Sequence, residues 1–303
     1  MFGQGLDCLK PCYLSLKKIN PSVYKRFPSV YIRVPCGKCT NCKIRRTKEW
    51  SLRLAMEATQ WEDIQFVTLT FSNDYVYIEN RVTGELKESL MIRDIQLYIK
   101  RVRTELFRAG WHFPIKYYAV GEYGPRTNRP HYHLLVFGVP KYIGPIILND
   151  CWKYGFTYIK DFVPQQCNYV AGYIQKKLYG DERKYLYDGV EPPFNVQSQH
   201  LGEAWFFDEK NLENTLENGF VMFQGYKHAI PATFRRKLIK QGRLSACDLV
   251  DLRNVQISEY KLLYKHCLDI GMSPKEYWLN FIAEAQRKVM KKNTLRDKEI
   301  MSV

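Results

Sequence analysis

The sequence contains no uninterrupted apolar run near the roughly 18 residues that a transmembrane helix needs. Its first residues, MFGQGLDCLKPCYL, lack the continuous apolar core of a secretory signal peptide. No internal repeat and no G-x-x-x-x-G-K-[ST] loop for nucleotide phosphates occur either. These absences predict a soluble, cytoplasmic protein that does not hydrolyse nucleoside triphosphates.

Negative charge is also scarce. Lys and Arg total 46 against 31 Asp and Glu, which gives a formal net charge of +15 over 303 residues. Such an excess favours a polyanionic partner, above all nucleic acid, with lipid headgroups as the weaker alternative. Hydrophobic residues make up 46% of the chain, enough for a substantial core, so intrinsic disorder is excluded as a class.

The nine cysteines are an odd number in a chain without an export signal, which argues against a disulfide framework. Cys36, Cys39 and Cys42 form C-x₂-C-x₂-C, and Cys8 and Cys12 lie upstream. A tetrahedral Zn²⁺ site is the plain interpretation, with an iron–sulfur cluster or unliganded thiols as alternatives. A structural metal would stabilise this proline-rich segment and direct its basic residues at phosphates: Lys38, Lys43, Arg45 and Arg46.

Four short β-branched or aromatic runs predict strands at 65–71, 115–121, 131–138 and 156–162. Helical spacing of apolar residues predicts helices at about 44–60, 92–110, 144–153 and 165–179. From the first strand onward, the order β-α-β-β-α-β and then a helix predicts an α+β, ferredoxin-like fold with a central antiparallel sheet flanked by helices. Four further cysteines fall on apolar sides of predicted helices and are expected to be buried thiols: Cys151, Cys167, Cys247 and Cys267.

The chain divides by character into three parts. Residues 1–60 hold the cysteine-rich segment and a basic helix, residues 61–180 hold the predicted sheet, and residues 181–303 are basic and predicted to be mainly helical. In the last part, a basic stretch between Pro231 and Gly242 and a capping box that begins at Ser273 each predict a helix.

His131 and His133 are two residues apart in a predicted strand, so their side chains lie on the same face. Glu122 ends the preceding strand and approaches both if the two strands pair through the turn between them. Two imidazoles and one carboxylate leave open positions on a Mg²⁺ or Mn²⁺ ion, as catalysis on a phosphate requires. The alternatives are two unrelated histidines and a solvated carboxylate.

Tyr169 and Tyr173 lie one turn apart on a predicted helix, with Lys176 and Lys177 a further turn on. A phenol with a pKa of about 10 is only about one part in a thousand ionised at pH 7, so a tyrosine nucleophile needs positive charge nearby. The lysines and the metal ion could supply it. The alternative is a pair of ordinary interface tyrosines.

Together these motifs resemble the HUH endonucleases. The resemblance rests on Phe66-Val67-Thr68-Leu69-Thr70, His131-Tyr132-His133 and Tyr169-Val170-Ala171-Gly172-Tyr173. More narrowly, the chain is similar to the replication initiators of small single-stranded DNA phages, the gokushovirus branch of the microviruses. That similarity covers about residues 8–180 and rests on four segments: 36–42, 121–124, 129–133 and 173–177.

The resemblance implies an HUH core that initiates rolling-circle replication in the cytoplasm of a bacterial host. One tyrosine would attack a phosphodiester at the origin, giving a 5′-phosphotyrosine and a free 3′-OH that primes synthesis. It assigns the metal to His131, His133 and Glu122 and the nucleophiles to Tyr169 and Tyr173, with Lys176 and Lys177 beside them. Host helicase and polymerase would be partners, with Arg129 among the DNA contacts.

The resemblance of Cys12-Tyr13 to the family's early Cys-Tyr favours Cys12, Cys36, Cys39 and Cys42 as zinc ligands, with Cys8 as the alternate. Two other functions stay open on the sequence alone. One is an HUH transposase or relaxase, and the other is a non-catalytic, zinc-containing nucleic-acid-binding protein.

Overall fold

The computed structural model describes residues 8, 12–15, 31–75, 77–79, 86–124, 126–176, 186–187, 189–244 and 269–272. The chain forms two compact units, Met1–Pro231 and Ala232–Val303. Among the described residues, no helix combines the length and the apolar character needed to cross a bilayer.

The centre of the first unit is a five-stranded antiparallel sheet with the strand order β8-β3-β7-β6-β9. Its strands are β3 (Ile64–Phe71), β6 (Lys116–Tyr123), β7 (Pro130–Phe137), β8 (Gly155–Asp161) and β9 (Phe194–Gln197). Three small two-stranded sheets accompany it: β1 (Cys12–Ser15) with β2 (Tyr31–Val34), β4 (Tyr77–Glu79) with β5 (Leu86–Glu88), and β10 (Val221–Phe223) with β11 (Tyr226–His228).

The helices of this unit are α1 (Thr40–Ala58), α2 (Ile92–Arg108), α3 (Gly144–Asp150), α4 (Gln165–Gly172), α5 (Glu203–Phe206) and α6 (Glu209–Asn218). α4 continues as a single 3₁₀ turn, Tyr173–Lys176. In the second unit, α7 (Ala232–Lys240) follows Pro231 and accounts for the predicted basic helix. The helix predicted from Ser273 and the thiols of Cys247 and Cys267 lie outside the described residues.

Alternation of side chains along the strands gives the sheet two buried faces. One face, with Leu69 and Leu134, packs against apolar residues of α2 and α3 such as Ile99 and Leu148. The opposite face, with Phe66 and Leu135, packs against Leu54 of α1 and Val170 of α4. The α+β fold with a central antiparallel sheet between helices is therefore confirmed.

Two details differ from the sequence-based expectation. The helix predicted over 165–179 is regular only to Gly172, where glycine lowers helix propensity, and the Tyr173 N–H turns to the carbonyl of Val170, three residues back. β9 lies beyond residue 180 and nevertheless pairs with β6 at the edge of the sheet. At four residues, this strand is too short to give a clear pattern in the sequence.

A candidate metal and tyrosine site

The strand register brings the predicted acidic and histidine residues together on one face of the sheet. On one side of β7, His131 pairs with Glu122 of β6. On the other side, His131 and His133 pair with Thr70 and Thr68 of β3. Directly paired residues project to the same face, so all five side chains share it.

The carboxylate of Glu122 lies between the two imidazoles. Its Oε1 is 3.0 Å from His131 Nε2 and 3.5 Å from His133 Nε2. One ligand atom from each of the three residues lies within 4.8 Å of the others. Glu122 and His133 are buried, at 3% and 7% exposure, so water screens their charges only weakly.

The outer nitrogens of both rings are held by hydrogen bonds. His131 Nδ1 lies 3.1 Å from the carbonyl oxygen of Arg129, and a carbonyl can only accept, so Nδ1 carries the hydrogen. In a neutral ring, Nε2 then directs a lone pair at a carboxylate oxygen 3.0 Å away. Two acceptors this close require a shared cation or an added proton. His133 Nδ1 lies 2.9 Å from the Thr68 hydroxyl, which fixes that ring as well. These residues fit a divalent cation.

Both tyrosines lie over this cluster. The Tyr173 ring stacks on His133 with centroids 5.3 Å apart and planes at 18°, while Tyr169 meets His133 edge-on at 5.5 Å. The Tyr173 hydroxyl donates a hydrogen bond to the Tyr169 hydroxyl. Burial, and then the charge of Glu122, raise the pKa of Tyr173. The phenol therefore stays protonated at neutral pH unless positive charge is added beside it.

The predicted basic residues are placed differently from one another. Lys176 ends the 3₁₀ turn at the level of its backbone, and Lys177 lies outside the described residues. Arg129 donates from its guanidinium to the carbonyl oxygen of Phe71 at 2.8 Å, which joins the start of β7 to the end of β3. Around the start of α1, three of the predicted basic side chains are exposed and Lys43 is half-buried: Lys38, Arg45 and Arg46.

The cysteine cluster corrects the preferred ligand set. The thiols within 4.8 Å of one another belong to Cys8, Cys36, Cys39 and Cys42. Cys12 is exposed in β1, where it pairs with Val34, so preferring it was wrong and the alternate Cys8 takes the fourth position. Cys8 Sγ lies 3.8 Å from Cys39 Sγ.

The cluster favours thiolate at one sulfur. Burial raises the pKa of Cys36, but the backbone N–H groups of Cys39 and Lys38, together with hydrogen bonds from Cys8 and Cys39, outweigh it and lower the pKa to about 6. The two N–H groups lie 3.3 and 3.4 Å from Cys36 Sγ. Burial instead raises the pKa of Cys42 to about 12. Because thiolates are the ligand form, four converging sulfurs fit a tetrahedral metal such as zinc.

Sequence reasoning missed the role of Thr68. Its hydroxyl orients His133, and Phe66 supports the same ring from the same face, with ring centroids 5.6 Å apart. The signal was present, because antiparallel pairing of the first and third predicted strands puts alternate residues of 66–70 beside the histidines. Only the register, which the sequence does not give, selects Thr68.

An antiparallel sheet carrying His131, His133 and Glu122, with two helix-borne tyrosines over them, has the arrangement of an HUH-type protein. Residues 64–178 match a family model of replication-associated proteins of the ORF2 type. The chain therefore carries the domain of a phage-type replication-associated protein, as the motifs predict.

The relatives found among curated proteins are replication-associated proteins of phages. The chain is 29% identical over 257 residues to VP4 of Bdellovibrio phage phiMH2K, covering 76% of both chains. It is 28% identical over 233 residues to ORF4 of Chlamydia phage 1, covering 69% of this chain and 55% of the relative. It is also 28% identical over 234 residues to ORF2 of Spiroplasma virus 4, covering 68% and 71%.

A solved structure with some likeness is the N-terminal nuclease domain of minute virus of mice non-structural protein-1. The alignment covers 52% of this chain and 79% of that chain at 11% identity, with a TM-score of 0.22. A score this low supports no conclusion about this chain.

Proposed function

We propose that this chain initiates rolling-circle replication by nicking and rejoining single-stranded DNA at an origin. The observation that carries the proposal is the position of two hydrogen-bonded tyrosine hydroxyls directly over a buried Glu–His–His cluster. The similarity to phage replication-associated proteins and the net charge of +15 support DNA as the substrate.

The chemistry is a transesterification at phosphorus. A tyrosine Oη attacks the phosphorus, the bond between phosphorus and O3′ breaks, and the phenolic proton ends on the departing O3′. The products are a 5′-phosphotyrosine and a free 3′-OH. Attack by a 3′-OH on the phosphotyrosine reverses the step and rejoins the strand. Since one ester replaces another, no external energy is needed.

Each residue of the site has a distinct task. A Mg²⁺ or Mn²⁺ ion held by Glu122, His131 and His133 would polarise the phosphate and stabilise the developing charge on the leaving oxygen. The hydrogen bond between Tyr173 and Tyr169 keeps both hydroxyls beside the cluster. One tyrosine can retain the first DNA end while the other cleaves the regenerated origin. Lys176 and Lys177 follow the nucleophile in sequence and would supply positive charge.

The surrounding parts have supporting roles in this proposal. Residues 61–180 hold the catalytic centre. A Zn²⁺ ion bound by Cys8, Cys36, Cys39 and Cys42 would stabilise residues 1–60 and bring the basic start of α1 to the DNA backbone. Because the sequence has no nucleotide phosphate loop, strand opening would come from a host helicase, and a host polymerase in the bacterial cytoplasm would extend the 3′-OH.

Covalent capture of DNA tests the mechanism. Purified protein with Mn²⁺ and labelled origin single strand should form an adduct that survives SDS. Single Tyr169→Phe and Tyr173→Phe variants should each lower its yield, and the double variant should abolish it. Tyr142→Phe is the matched control, because this tyrosine is 80% exposed and lies outside the cluster. An undiminished adduct in the double variant would refute the tyrosine mechanism.

A further inference from the structure

The edge strand β8 carries an exposed aromatic pair on the same sheet face as the Glu–His–His cluster. Phe156 pairs with Thr70 and Tyr158 pairs with Thr68. The same two threonines pair with His131 and His133 on their other side. Each aromatic therefore ends a cross-strand row that begins at the cluster. At about 4.8 Å between neighbouring strands, the aromatic pair lies about 10 Å along the sheet from the histidines.

This part of the face is open. Phe156 is 69% exposed and Tyr158 is 58% exposed, whereas Phe66, one row further under the helices, is 7% exposed. Thr68 and Thr70 between the aromatics and the histidines are themselves partly exposed. Single exposed aromatics are common on protein surfaces, but two adjacent ones that continue a catalytic face are not explained by chance exposure.

Positive charge accompanies the rings. Lys160 follows on the same side of β8, and its Nζ lies 4.9 Å from the centroid of the Tyr158 ring. The one nearby carboxylate on this strand, Asp161, alternates to the other face. Aromatic faces beside an ammonium group suit nucleobases joined by phosphates, and they suit an aliphatic partner less well.

We propose that Phe156, Tyr158 and Lys160 form a single-stranded DNA platform that guides the strand to the tyrosines. Phe156 and Tyr158 stack on bases, and Lys160 contacts a phosphate. This inference rests on the proposed function for its substrate, but it assigns binding residues that the chemistry itself does not use. Because every base has a face that can stack, the platform contributes affinity with little sequence preference.

Equilibrium binding separates the platform from the cleavage chemistry. Anisotropy of fluorescein-labelled single-stranded DNA should show a Kd about 5- to 150-fold higher for Phe156→Ala and for Tyr158→Ala. Phe156→Tyr and Tyr158→Phe should retain wild-type affinity. Lys160→Gln should lower the dependence of affinity on salt. Phe113→Ala is the matched control, since Phe113 is 68% exposed and lies outside the sheet.

The same variants have a kinetic signature. At saturating DNA, the rate of adduct formation should match that of the wild type, so that only the DNA concentration needed for half-maximal rate rises. Tyr169→Phe with Tyr173→Phe should show the opposite behaviour, with normal binding and no adduct. Failure of the cleavage mechanism would thus leave the binding result intact.

Two results would overturn the platform. One is unchanged DNA affinity in a Phe156→Ala, Tyr158→Ala double variant whose circular dichroism matches the wild type. The other is a change in molar mass by light scattering in that variant without loss of DNA affinity, which would make the strand edge an interface between copies of this chain.

Discussion

The Thr68 hydroxyl determines how His133 faces Glu122. It lies 2.9 Å from His133 Nδ1, and the opposite ring nitrogen is the one directed at the carboxylate. Groups that orient a metal-binding histidine commonly affect metal affinity or activity about 10- to 100-fold. Thr68→Val keeps the shape and removes the hydroxyl, so we expect the Mn²⁺ concentration for half-maximal adduct formation to rise by about that factor.

Two further variants make this prediction specific. Thr68→Ser restores a hydroxyl and should recover most of the Mn²⁺ affinity. Thr157→Val removes a threonine hydroxyl from the opposite face of the sheet and should leave the titration unchanged. An unaltered Mn²⁺ titration in Thr68→Val would show that the hydroxyl does not orient the ring.

Cys151 and Cys167 are confirmed as buried thiols, and their chemistry follows from burial. Loss of solvation raises the pKa of Cys151 to about 11 and of Cys167 to about 12. A raised pKa delays thiolate formation to higher pH, and at pH 8 only about one part in a thousand or fewer is ionised. Alkylation by iodoacetamide should therefore be very slow at pH 8 and rise about tenfold for each pH unit up to pH 10.

Mass spectrometry of the alkylated protein checks this directly. Protein unfolded in urea provides the reference, since both thiols then react at the ordinary rate. Modification of folded Cys151 or Cys167 at the unfolded rate at pH 8 would contradict the burial argument.

The chemistry-bearing residues were largely predictable because they lie on regular elements. A two-residue spacing in a strand placed His131 and His133 on one face, and a four-residue spacing in a helix placed Tyr169 near Tyr173. Thr68 was not predictable, because its partner depends on which residue of β3 faces His133, and a shift of one residue would turn it to the opposite face.

At the scale of elements, β1 and the start of α1 decide which cysteines meet. Both Cys8 and Cys12 precede the C-x₂-C-x₂-C motif, and spacing alone does not say which one approaches it. Pairing of β1 with β2 leaves Cys12 exposed, while Cys36 N–H donates to Cys8 Sγ at 3.2 Å. Contacts between segments distant in sequence therefore overruled the choice based on resemblance.

The two cysteines give a matched pair of variants. Cys8→Ser should lower the zinc content of purified protein and the midpoint of thermal unfolding, because a structural metal contributes its binding free energy to folding. Cys12→Ser should change neither. Metal content by mass spectrometry, together with thermal unfolding, measures both. Equal zinc loss in the two variants would return Cys12 to the ligand set.

The sheet shows the same limit of sequence reasoning. Four strands were predicted because each is at least seven residues long with β-branched and aromatic residues. β9 has four residues, FNVQ, and joins β6 through backbone hydrogen bonds that need no particular side chains. The fold class was therefore predictable, whereas the strand that completes the sheet was not.

At the scale of the whole first unit, one buried carboxylate connects three distant segments. Glu57 on α1 is 1% exposed and binds Lys116 Nζ of β6 at 2.8 Å. It also accepts from the Trp61 indole and from the backbone N–H of Gly202, each at 2.7 Å. Gly202 has a φ of 74° and leaves no room for a Cβ, which would lie 2.6 Å from the carbonyl oxygen of Arg53. No sequence pattern indicates this junction.

Glu57→Ala should therefore destabilise the fold far more than an average surface substitution. It leaves the Lys116 ammonium, the indole N–H and the Gly202 N–H without their acceptor, and breaking a buried ion pair in this way costs about 3–5 kcal/mol. Urea unfolding followed by tryptophan fluorescence measures the change in the free energy of unfolding. Glu62→Ala, at an exposed position just beyond α1, is the control and should change it by less than about 0.5 kcal/mol. If Glu57→Ala matched that control, α1, β6 and the segment after β9 would have to be held together by apolar packing alone.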